Sequence, residues 1–109
     1  ETAYKNKDYE QALIYSQSYL ALFPDNLEVQ IDQGICYLET NQYDKAIDVF
    51  ESYEQQEVSD AIKGTWYKAL AYLKQKDIVQ AQSNLQIIVE RQEGFHQQAK
   101  QLMEQLNNH

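Results

Sequence analysis

The sequence predicts an all-α protein of antiparallel helix pairs stacked in a row, and three observations carry that expectation. Three glycines and one proline in 109 residues leave too few turn residues for the hairpins of a sandwich or barrel. A tyrosine or isoleucine followed three positions later by alanine recurs as Tyr9/Ala12, Tyr43/Ala46 and Ile78/Ala81, at spacings of 34 and 35 residues, the period of a two-helix repeat. Between these markers, apolar residues return at three- and four-residue steps, which places them on one helical face.

Each element follows in chain order. Residues 1–5 read as the tail of a first helix, and the polar turn Lys5-Asn6-Lys7-Asp8 opens a second over about 8–22, where Tyr15 and Tyr19 are the large filling residues. Phe23-Pro24-Asp25-Asn26 stops it, and Asp25-x-x-Glu28 has the spacing of a capping box for a helix over 27–39. That helix carries Gly34 and Tyr37, and the turn Glu39-Thr40-Asn41-Gln42 leads into a helix over 43–56 with Tyr43, Ala46, Phe50 and Tyr53. Gly34 stands twelve positions before Ala46, and Ala69 twelve before Ala81, so small residues face each other and the paired helices can approach closely. A helix over 60–74 contains Ala69 and Tyr72, and one over 78–92 contains Ala81, Leu85 and Ile88, with Gly94 placed to end it in a left-handed cap. The last helix, 96–107, sets Phe95, Ala99, Leu102, Met103 and Leu106 against a polar face of Gln97, Gln98, Lys100, Gln101, Glu104 and Gln105, as a lid over the end of a stack requires.

Charge and chemistry exclude several classes. The net charge is −8. It is uneven, with 3 basic and 13 acidic residues over 1–60 (−10) against 6 and 4 over 61–109 (+2). A chain with one arginine and an acidic first half is a poor ligand for nucleic acid or an anionic membrane; the acidity keeps helix faces solvated or steers a basic partner. No run approaches the ~18 apolar residues of a membrane span, so no direct membrane insertion by this segment is expected. The chain opens on Glu1 without an initiator Met, which reads as a processed product or an excised domain. Cys36 is alone, so it can form no intrachain disulfide, and it sits among apolar neighbours as a small buried side chain. His96 and His109 lack metal-ligand spacing, no glycine-rich phosphate loop exists, and Asp44, Asp48 and Glu51 follow one wet helical face. No enzyme, cofactor or metal is expected.

The recurring residues resemble the tetratricopeptide repeat. Residues 27–60 look like one complete unit, through Gly34, Tyr37, Tyr43, Ala46 and Phe50, with Asn41 where that family has Gly and Val58 where it has Pro. Asn tolerates the left-handed backbone such a turn needs. Residues 61–95 form a second unit through Ala69, Tyr72, Ala81 and Leu85, with Thr65 at the usual tryptophan position and Trp66 one place later. Residues 1–26 supply the back of a preceding unit, and 96–107 the capping helix. The resemblance implies a right-handed superhelical solenoid of about 2.7 units. Trp66-Tyr67-x-Ala69-Leu70-x-Tyr72-Leu73 is similar to the terminal repeat modules of larger bacterial proteins, some membrane-anchored.

The same resemblance implies a non-catalytic protein-interaction module with a concave groove. Its positions fall on Glu28, Ile31, Ile35, Leu38 and Glu39, then on Lys63, Trp66, Leu70, Leu73 and Lys74, with Tyr4 and Lys5 from the partial unit. The floor is apolar, where carboxylate-clamping relatives carry Lys, Asn and Arg. Such a floor either receives a helix or peptide of another protein, anchored by Trp66, or is covered by its own helices, a missing upstream helix or a second copy of the chain at the truncated N-terminal edge. In the covered case the chain is a structural or oligomerisation module of a larger, membrane-anchored protein.

Overall fold

The computed structural model describes residues 8–56, 59–92 and 94–108. Six helices follow in order: α1 (Tyr9–Leu22), α2 (Leu27–Glu39), α3 (Tyr43–Gln55), α4 (Ala61–Lys74), α5 (Ile78–Arg91) and α6 (His96–Asn107). No strand occurs among the described residues. Each helix packs on the next, so α3 lies between α2 and α4, and α5 between α4 and α6. The molecule measures 42 × 28 × 21 Å, the elongated form of a stack. This is an all-α tetratricopeptide-like solenoid.

The turns within two pairs are built alike. Asn41 (φ 63°) and Lys76 (φ 66°) are both left-handed, the conformation the turn demands of Asn41. Gln42 N–H donates to Tyr37 O at 2.8 Å and Asp77 N–H to Tyr72 O at 2.9 Å, while Asn41 and Lys76 donate to Leu38 O and Leu73 O. These paired bonds satisfy carbonyls that a helix end leaves open.

Three local expectations are corrected. The cap of α2 is Asn26, whose Oδ1 accepts from Val29 N at 3.0 Å; its Nδ2 also donates to Tyr19 OH at 3.3 Å, so it ties the helix start to α1 where Asp25, one residue out, does not. Gly94 is not left-handed: the positive φ values fall on Gln92 (53°) and Phe95 (67°). Tyr15 is 65% exposed, because the position matching Phe50 and Leu85 is Ser16, whose hydroxyl bonds to Leu13 O instead of filling the core. Tyr15, Tyr19 and Phe23 line up along α1, with ring centroids 6.1 and 5.0 Å apart.

Two clusters make the core. Ile31, Leu38, Ala46, Ile47, Phe50, Tyr53 and Ala71 join α2, α3 and α4, with the Phe50 ring stacked on Tyr67 at 5.6 Å. Ile62, Ala69, Leu85, Ile88 and Ala99 join α4, α5 and α6, and Phe95, Leu102, Met103 and Leu106 close over them as their spacing predicts. Ala46, Ala69 and Ala81 are fully buried, which lets the helices meet closely. A second close approach lies at Gly64, where an added Cβ would stand 2.9 Å from Tyr53 Cδ1 and 3.0 Å from Phe50 O. Beside it, Glu54 accepts from Thr65 Oγ1 and from Lys68 Nζ at 2.7 Å, with Glu51 3.9 Å from the same ammonium. Thr65 thus uses its buried position to anchor a carboxylate between α3 and α4.

Candidate functional site

The residues expected to line a groove belong to α2 and α4, which touch directly. The residues assigned to it are distributed unequally. Ile31 and Leu38 lie in the first core cluster, 3% and 4% exposed, and Ile35 is half-buried against that cluster. Leu70 and Leu73 are half-buried and Lys74 is exposed. Trp66 packs on the second cluster, and one face of its ring is stacked on Phe95 with centroids 5.3 Å apart and 9° between planes. The left-handed backbone at Phe95 accompanies that stack. Tyr4 and Lys5 lie outside the described residues.

Ile31 and Lys63 are brought together in a cleft of about 380 Å³ between the starts of α2 and α4. Leu27, Ile31 and Tyr53 supply its apolar wall, and Glu28, Ser59, Asp60 and Lys63 its polar rim. Burial, and after it the neighbouring Glu28, hold the Asp32 carboxyl above its ordinary value, with Lys63 acting against them. One turn further along α2, burial, Asp32 and Glu39 push the Cys36 thiol up to about 11, so at neutral pH it is neither nucleophile nor thiolate ligand. Among the described residues no group of three His, Cys, Asp or Glu side chains stands close enough to hold a metal ion.

Tyr53, Ser59 and Asp60 were not legible as site residues. Tyr53 reads as core filling, and Asp60 only as the start of the helix over 60–74. In the structure Asp60 stands at the N-cap of α4 without a side-chain cap bond, unlike Asp8, Asn26 and Asp77, which all accept one.

Comparison with known families matches residues 3–64, more than half of the chain, to the tetratricopeptide repeat. The chain belongs to that family, whose repeats are in general protein–protein interaction modules and typically non-catalytic. No curated protein matches the chain. No helix among the described residues is long and apolar enough to cross a membrane.

Proposed function

We propose that this chain is a non-catalytic interaction module that receives a peptide or helix of another protein along the face of α2 and α4. The observation that carries this reading is the half-burial of Ile35, Trp66, Leu70 and Leu73, apolar residues in sequence register with Ile31 and Lys63 of the cleft. Half-buried apolar side chains are pre-ordered by their own packing, so docking on them loses little side-chain entropy. Selection from a displayed random peptide library against the whole chain tests it. Leu70→Asp and Leu73→Asp should abolish capture of the selected peptides while each variant's unfolding curve stays cooperative; capture that survives both changes removes the groove reading.

One observation favours a second, structural reading. α1 exposes Ile14 (58%), Tyr15 (65%), Leu22 (75%) and Phe23 (55%), and the chain from Gln11 to Pro24 carries no ionisable acid or base other than tyrosine. An uncharged aromatic face in a chain of net charge −8 can meet its own copy without like-charge repulsion. Sedimentation across a concentration series, with Tyr15→Glu and Leu22→Glu as controls, distinguishes a self-associating module from a monomer. The larger protein, its membrane anchor and its bacterial source rest on the sequence resemblance alone.

A further inference from the structure

We infer that Phe95 is a built-in occupant of the groove, and that a docking segment seats an aromatic side chain on Trp66 by displacing it. This rests on the groove reading and adds to it the partner's chemistry and a contact that holds the site closed.

The stack comes first. Trp66 falls at a groove position of the second unit, yet its ring lies against Phe95 with centroids 5.3 Å apart and 9° between planes. Phe95 belongs to neither α2 nor α4; it precedes α6 and packs with Trp66 on the second cluster. A near-parallel ring covers the face of the indole on which another aromatic side chain would stack. The second observation is what holding this contact costs. Phe95 has φ 67°, where a Cβ crowds the backbone, although Gly94 beside it would carry such an angle freely and does not. It stands at the N-cap of α6, a place suited to Ser, Thr, Asp or Asn, and makes no side-chain cap bond there. The third lies one residue on: His96 Nδ1 is buried and has no hydrogen-bond partner among the described residues, whereas buried polar atoms are ordinarily paired. The start of α6 is thus held in an unfavourable local geometry by a ring seated on a groove residue. An aromatic side chain of a separate segment makes the same stack without those local costs, and its apolar neighbours gain Leu70 and Leu73, half-buried on the same helix as Trp66. When Phe95 leaves, Ala99, Leu102, Met103 and Leu106 still hold α6 on the second cluster, so only its first turn relaxes. Ala99 N–H, which donates to Phe95 O at 2.8 Å, then loses its acceptor.

Displayed random peptides selected against the wild-type chain and against Phe95→Ala provide the test. Phe95→Leu accompanies them, because it removes the ring while keeping an apolar side chain on the second cluster, so that a folded variant is in hand. The selected peptides should share a Trp, Tyr or Phe at one fixed position. By fluorescence anisotropy, the labelled consensus peptide should bind the two variants about tenfold tighter than the wild type, the gain expected when a competing contact no longer closes the site. Changing its aromatic residue to Ala should remove that difference, as a direct exchange of one ring for another requires. In the wild-type chain, saturating peptide should speed amide exchange at Ala99 and leave Ile88 of α5 protected. Equal or weaker binding by the variants, or an Ala99 amide that slows or stays unchanged at saturation, overturns the displacement and leaves the groove standing. Peptides that depend on Leu70 and Leu73 yet share no aromatic residue do the same. Wild-type and variant chains that select no peptide at all overturn both.

Discussion

The ring of Phe50 occupies the space that a methyl group on Gly34 would need: a Cβ built there would lie 2.7 Å from Phe50 Cζ. Phe50 is fully buried and stacked on Tyr67, so it has nowhere to retreat. Gly34→Ala should therefore destabilise by about 1–3 kcal/mol through overpacking, and Phe50→Leu should restore part of that loss in the double variant. Gly94→Ala makes the contrast. Among the described residues its added Cβ would meet Ile62 Cγ2 alone, at 3.6 Å, and its φ is not positive, so the change should be neutral or stabilise by up to about 1 kcal/mol. Denaturant unfolding of the two variants checks both.

Ala46 and Ala81 hold equivalent places and are both fully buried. Ala46→Leu or Ala81→Leu should cost roughly 1–3 kcal/mol. Asp48→Asn, on an exposed position of α3, should stay within about ±0.5 kcal/mol. Equal shifts in unfolding midpoint from the two kinds of change would contradict the packing described.

Trp66 and Phe95 should act as a pair. A double-mutant cycle of Trp66→Leu and Phe95→Leu should give a coupling of about 0.5–1.5 kcal/mol, that of a stacked aromatic pair. Additive losses would show that the rings are neighbours without being partners.

Cys36 sets an alkaline limit. Its thiol pKa rises from the ordinary 9.0 to about 11 in the folded chain. The folded state then binds the proton more tightly than the unfolded one, so this contribution to stability is complete below about pH 9 and is lost as pH rises towards 11. Cys36→Ala should flatten stability across that window, and wild-type Cys36 should react with thiol reagents at pH 8 only as fast as the fold opens.

Much of this architecture is written in small residues and in period. The markers at Ala46 and Ala81, the left-handed Asn41 and the apolar stripe of α6 all appear in the structure where spacing puts them, because each answers a backbone demand that repeats along the stack. Side-chain choices between near-equivalent neighbours were not legible. Asn26 in place of Asp25, and Ser16 in place of Tyr15 facing inward, depend on contacts with a helix that is distant in sequence. For the groove, periodicity names a face but not its depth. It groups Ile31 and Leu38 with Leu70 and Leu73, although the first two are closed in by α3 and α4. It passes over Tyr53, which lines the cleft only because α4 begins beside it.

The link made by Glu54, Thr65 and Lys68 joins two successive helix pairs at a seam where Gly64 already brings the backbones close. In a linear array, cooperativity is carried by such seams, since each member feels only its neighbours. This seam is cross-linked by charge as well as by packing, whereas among the described residues α1 packs mainly on α2. The molecule should therefore come apart from its first helix inward, with amides of α1 exchanging with solvent well before those of α3 and α4, which open together as one unit.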